Sequence, residues 1–359
     1  MQEDIKCNIL IVGKTGAGKG ALLNYLCGKT VAETGCGKPQ TPKGIFKYTT
    51  NINGQEIRIF DSWGIEPGKV DCWKVFLNQH LQERGIQEKP SEWFHSVIYC
   101  IEAGRHRVEN IDIEIIQRFL KEDYVVTIVL TKADQIDEDE KRKMKNVVLN
   151  GLKDYIPTFY NGKINIIATC AISEKTRSGE IQPFGKEELQ RAILEGWMKS
   201  VYKRLPNHVF INLKELVKQW VVTESNKIKE NTSFDSIKYL KNTVDTDVKK
   251  LNLKRRGEEI LQDAFENCQE SLKAWKKTIE HENILSNSLD SINTTIVSSY
   301  NNNYIENVVM VAEKLYNFYK MSELISYISE QAEMLIKECE EIKKRIELQI
   351  SIVLTINSL

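Results

Sequence analysis

Residues 13 to 20 read GKTGAGKG, set between the apolar run Ile9, Leu10, Ile11, Val12 and the helix-forming stretch Ala21, Leu22, Leu23. A strand that turns through glycines into a helix aims successive backbone N–H groups at an anion, with the positive end of the helix behind them. Gly13, Gly16 and Gly18 permit the curl, Lys14, Thr15, Ala17 and Ala21 complete the run of amides, and Lys19 brings an ammonium to the outer phosphates. The position that usually carries Ser or Thr, whose hydroxyl holds a Mg²⁺ bridging the phosphates, is Gly20. The cradle is complete; its metal ligand is missing.

Two further sets of residues have types suited to the same ligand. Asp61-Ser62-Trp63-Gly64 closes the stretch Glu56 to Phe60, so Asp61 can reach Mg²⁺ through water while the Gly64 amide meets a terminal phosphate. The next residue, Ile65, has no group that orients a water. Thr131-Lys132-Ala133-Asp134 follows the apolar run Val125 to Leu130. A carboxylate at Asp134 accepts two hydrogen bonds from the ring N–H and exocyclic amine of guanine, a donor pair adenine lacks, and Lys132 can lie over the base plane. After Ile164 to Ala168, Thr169-Cys170-Ala171 offers backbone amides, Ala171 foremost, to the guanine carbonyl oxygen.

The elements that must position these groups are legible. Gly28 closes a first helix over Ala21 to Cys27, and Asn53-Gly54 predicts a tight hairpin between Ile45 to Ile52 and Glu56 to Phe60. A helix is predicted from Asp71 to Arg84, with Trp73, Phe76, Leu77, His80 and Leu81 as its packing face. His80 and His95 are read as structural. Val97 to Ile101 predicts a buried strand, followed by Glu102-Ala103-Gly104-Arg105-His106-Arg107, read as a solvated turn in preference to a phosphate or partner site, and then by a helix from Ile111 to Lys121.

In order and spacing these motifs resemble those of the translation-factor-related class of P-loop GTPases, most of all its Era-like and septin/AIG1-like groups. The resemblance covers roughly residues 5 to 203. It implies an α/β domain, a mainly parallel sheet with helices on both faces, holding GTP or GDP and Mg²⁺ at the C-terminal ends of the strands. It also makes the loop Lys29 to Gly44 a switch, in which Thr41 touches Mg²⁺ and the γ-phosphate and Thr34 is the alternative. Lys19, Thr41 and Gly64 are then the catalytic candidates, and Thr41 and Asp61 the metal ligands. Gly20 departs from the pattern and predicts weakened Mg²⁺ binding and slow turnover.

All seven prolines lie at or before Pro206, and of nineteen glycines only Gly257 follows it. With that punctuation gone, residues 206–359 are expected to be an all-α bundle or hairpin, against a nucleotide domain over 1–205. The periodic stretches are Val209 to Lys229, Phe234 to Leu251, Gly257 to Glu280 and Ile305 to Ile350, with Ser286 to Tyr304 as a tip. Lys254-Arg255-Arg256 is read as a solvated helix face.

Fifty basic residues balance fifty acidic ones, so no overall field draws the chain to nucleic acid or anionic lipid. Membrane contact is unsupported, because no run reaches the apolar length of a spanning helix. Eight cysteines without a CxxC pair are expected to be buried free thiols in a cytoplasmic protein. The expected function is a guanine-nucleotide switch whose helical half contacts a protein partner or a second copy. The alternative is an inactive pseudo-GTPase scaffold, and Asp134 argues against an ATP-driven machine.

Overall fold

The computed structural model describes residues 7–34, 43–52, 54–156, 164–176, 179–230, 234–266 and 321–356. Thr41 and the stretch Ser286 to Tyr304 lie outside the described residues. The chain divides into two compact units, the division falling between Arg204 and Leu205.

In the first unit the strands are β1 (Cys7–Gly13), β2 (Ile45–Ile52), β3 (Gln55–Ser62), β4 (Ser96–Glu102), β5 (Val125–Thr131) and β6 (Asn165–Ala168). They form one sheet in the order β2-β3-β1-β4-β5-β6, and every pair except β2 with β3 is parallel. Every residue of β1 and β5 is buried, so the centre of the sheet is covered on both faces, as their largely apolar sequences require. The helices are α1 (Lys19–Cys27), α2 (Val70–Glu83), α3 (Asn110–Lys121) and α4 (Glu138–Leu152). The tight hairpin joins β2 to β3 in register Ile52 with Gln55, and the Asn51 side chain accepts from the Gly54 amide at 2.7 Å. A short second hairpin, β7 (Glu174–Thr176) with β8 (Gly179–Ile181), follows β6 and had no sequence signal.

Parallel pairing sends the ends of β1, β3, β4, β5 and β6 to one edge of the sheet. That edge collects Gly13, Ser62, Glu102, Thr131 and Ala168. Both histidines are structural. His80 pairs with Glu83 on α2, and His95 is fully buried, accepting from the Asn8 amide at 3.0 Å. Burial, then the charge of Arg204, pulls the His95 pKa down to about 3, so it stays neutral.

One helix, α5 (Lys186–Glu230), runs straight through Pro206, where the sequence suggested a boundary and a new helix from Val209. Proline removes one hydrogen bond and crowds the preceding turn. On either side of it, Leu205, Val209, Leu213 and Val217 are almost wholly buried at four-residue steps, and that burial offsets the lost bond.

The second unit continues with α6 (Phe234–Leu251), α7 (Leu253–Glu266) and α8 (Met321–Ile356). On α8, Ile328, Leu335, Cys339, Ile342, Ile346 and Ile350 are buried, while Leu348 is exposed. Arg255 and Arg256 both pair with Glu259 on the surface of α7. Among the described residues all cysteines are free, and no helix is long and apolar enough to cross a membrane.

Candidate functional site

The turn from β1 into α1 is the floor of the site. Gly18 caps the helix at φ 77°, a left-handed conformation that a side chain would strain, and a Cβ there would lie 3.3 Å from Thr131 Oγ1. Lys19 is 6% exposed and folds back over the loop, its ammonium donating to the Gly13 carbonyl at 3.1 Å and the Lys14 carbonyl at 3.2 Å. Burial pulls its pKa down, and the nearby carboxylate of Asp61, 1% exposed, works against that.

The Asp61-Ser62-Trp63-Gly64 turn lies directly against this loop. The Ile65 amide donates to the Gly13 carbonyl at 3.2 Å, and the Thr15 amide donates back to the Ile65 carbonyl at 3.1 Å. Gly64 is so close that a Cβ there would sit 2.4 Å from Thr15 Oγ1 and 2.6 Å from its Cα. No residue but glycine fits. Thr15 Oγ1 is buried without a hydrogen-bond partner. The Ile65 side chain enters the hydrophobic core with Trp63, Trp73 and Leu77, away from any water the site would hold.

The base-side motifs are stitched to the same floor. Thr131 Oγ1 donates to the Ala17 carbonyl at 2.8 Å, tying the end of β5 to the phosphate loop. Lys132 takes a left-handed φ of 51°, and a single 3-10 turn over Ala133–Gln135 carries the half-buried Asp134. The Ala133 amide donates to the Thr169 carbonyl at 3.0 Å, which joins the loops after β5 and β6.

Residues 8–132 match the family model described as "50S ribosome-binding GTPase". The chain carries a P-loop GTPase domain. A probable GTP-binding protein EngB of Thermosipho africanus is 28% identical over 179 residues, 48% of this chain and 82% of that protein. Septin CDC11 of Candida albicans is 23% identical over 186 residues, 45% of each chain. The chain thus spans most of the first relative and less than half of the second. Among solved structures, Era of Aquifex aeolicus aligns with a TM-score of 0.40 at 20% identity, covering 59% of this chain and 68% of that one.

Within the GTPase domain two sequence-predicted residues have commitments that the sequence did not show. Lys14 serves the loop only through its backbone: its ammonium turns to α3, 2.8 Å from Asp112 and 3.0 Å from Glu109. Cys170 has spent its amide and carbonyl on Phe184, at 3.2 and 3.0 Å, and its Sγ on the Ile172 carbonyl. That leaves Ala171 to offer an amide.

Two groups escaped the sequence reading, and a third, Arg105, reads there as part of a solvated turn. Asp112 is the buried anchor of Lys14. Glu102 ends β4 and holds Lys132 at 2.5 Å through one oxygen and Arg105 at 2.5 Å through the other. Burial raises the Glu102 pKa, but its bonds to Lys132 and then Arg105 outweigh that and hold it below the usual carboxylate range. Arg105 itself reaches the phosphate loop: its guanidinium lies 3.4 Å from where a Gly16 Cβ would sit. Nothing in the local pattern around residues 102–107 distinguishes that arrangement from a solvated turn. Arg107 instead pairs with Glu109.

Proposed function

We propose that this domain binds GTP and GDP, and that the nucleotide state is read out by the helical residues 206–359. In this reading the amides of residues 13–21 and Lys19 hold the phosphates and Asp134 reads guanine, assisted by Lys132 and the Ala171 amide. The observation that carries it is the stitching of the motifs into one edge: Thr131 to Ala17, Ile65 to Gly13, and Ala133 to Thr169.

An ammonium has three N–H donors, and Lys19 gives two to the Gly13 and Lys14 carbonyls, which leaves one aimed outward for a phosphate oxygen. Asp61, together with Thr41 from outside the described residues, would hold Mg²⁺. A buried carboxylate beside backbone carbonyls and hydroxyls is an all-oxygen donor set, and it fits that ion. When bound, Mg²⁺ neutralises charge on the phosphates. A γ-phosphate arriving beside Lys19 must share space with Gly64 and Ile65, whose backbone now rests on Gly13 and Thr15, so its presence or absence decides where that segment lies. Turnover is slow in this reading, because the Ile65 side chain is committed to the core and Gly20 lacks a hydroxyl.

Calorimetric titration with GTP, GDP and ATP tests the assignment. The expected result is guanine preference, with Asp134→Asn shifting it toward xanthine nucleotides; equal affinity for ATP overturns it. The second reading, a binding module without hydrolysis, is favoured by Gly20 and by the burial of Ile65. Phosphate release under single-turnover conditions separates the two.

A further inference from the structure

The basic side chains near the phosphate loop are committed, with one exception. Lys14 pairs with Asp112 and Glu109, Arg107 with Glu109, and Lys19 is folded over the carbonyls of its own loop. Arg105 differs. Its Nε donates to Glu102 at 2.5 Å, and among the described residues nothing takes the four N–H donors of its terminal fork. That fork lies against the loop, one terminal nitrogen 3.4 Å from where a Gly16 Cβ would sit. Gly16 stands in the middle of the run of amides and is exposed. The turn that carries Arg105 is fastened at three points to the base-reading side of the site. A Gly104 Cβ would overlap the Gln135 side-chain oxygen, His106 meets Glu140 on α4 at 3.0 Å, and Glu102 holds Lys132 at 2.5 Å. Lys132 and Arg105 share that single carboxylate, so the three groups together carry a net positive charge.

We propose that Arg105 is a phosphate ligand of the bound guanine nucleotide, supplied by the same chain, with Glu102 as the residue that positions its guanidinium. The inference rests on the nucleotide-binding reading above. A guanidinium presents paired N–H groups in a rigid plane that matches phosphate oxygens, whereas Lys19 has one N–H left to give. By holding Nε, Glu102 fixes that plane and removes in advance the rotamer freedom a long side chain would lose on meeting an anion. A nucleoside diphosphate brings more negative charge than one ammonium offsets. Arg105 adds a second fixed cation at Gly16, on the side of the loop that Lys14 has left for α3.

The test compares the affinities of GDP and of guanosine, each read by displacement of a fluorescent GDP analogue. Arg105→Ala is expected to weaken GDP about tenfold and to leave guanosine unchanged, because only the phosphates lose a partner. The same variant should flatten the fall of GDP affinity with added salt. Arg105→Lys, which keeps the charge without the fork, should recover part of the loss. Arg107→Ala, which removes a neighbouring arginine already paired with Glu109, should bind GDP as wild type does. Glu102→Ala should weaken GDP as well, and adding Arg105→Ala to it should cost far less than tenfold, since the guanidinium is no longer held in place. Unchanged GDP affinity in Arg105→Ala overturns the proposal. Equal losses for GDP and guanosine overturn it too, by placing the effect at the base, and an equal loss in Arg107→Ala does so by assigning it to the general field of the loop. Losses that multiply in the double variant overturn the part given to Glu102. Failure of wild type to bind the fluorescent GDP analogue overturns the underlying reading instead.

Discussion

Lys14 and Asp112 form an ion pair of 2.8 Å between the phosphate loop and the first turn of α3. The Asp112 side chain is 4% exposed and takes three donors: Lys14 and the Glu109 amide on Oδ2, and the Tyr99 hydroxyl on Oδ1 at 2.9 Å. Burial and then Asp112 hold the Tyr99 pKa well above its usual value, so Tyr99 remains a donor. A lysine inside a phosphate loop is thereby turned into a strut.

Breaking this strut should cost stability before it costs chemistry. Asp112→Ala leaves a half-buried ammonium with only Glu109 beside it and is expected to destabilise by about 3 kcal/mol. Tyr99→Phe removes one hydrogen bond and should cost about 1 kcal/mol. Urea unfolding of the two variants measures both, and equal small losses would show that the pair is merely superficial.

Stability should fall on acidification through His95. Its folded pKa, about 3, lies below the unfolded value of 6.5, so the unfolded chain takes up a proton that the folded one refuses. The loss begins as pH drops below about 6.5 and continues toward 3, with a slope approaching 1.4 kcal/mol per unit. His95→Gln, which can keep an acceptor for the Asn8 amide, is expected to flatten unfolding free energy against pH in that window. An unchanged slope would assign the acid sensitivity to other groups.

In the helical unit, Lys227 bridges Glu224 and Asp247 at 2.7 Å each, and Glu224 is 1% exposed. Lys227→Met strands a buried carboxylate and should cost about 3 kcal/mol at neutral pH. The penalty should vanish largely in the Lys227→Met, Glu224→Gln double variant. Thermal melts of the single and double variants check it.

Coupling between nucleotide and helices is measurable by hydrogen exchange. Protection over Phe234–Leu251 or Met321–Ile350, or the oligomeric state, should differ between GDP and a non-hydrolysable GTP analogue. Identical exchange and mass at saturating nucleotide would leave the helical unit as a passive domain.

The sequence alone determined the sheet, its order of motifs and the helical second half. Those depend on local signals: β1 and β5 are built on apolar runs, Asn53-Gly54 is a turn by its own backbone preference, and after residue 206 there is no proline and a single glycine, Gly257. It also determined that Gly20 departs from the phosphate-loop pattern. What it could not determine was which side chains meet across the sheet edge. Lys14 reads only as a loop amide until α3 brings Asp112 to its side chain, Cys170 reads as free until Phe184 takes its backbone, and Glu102 reads as a turn residue until it joins Lys132 to Arg105. Pro206 reads as a helix boundary because propensity is local, and only the buried row from Leu205 to Val217 carries α5 through it. Pairs separated in sequence and joined in space leave no mark on the residues between them.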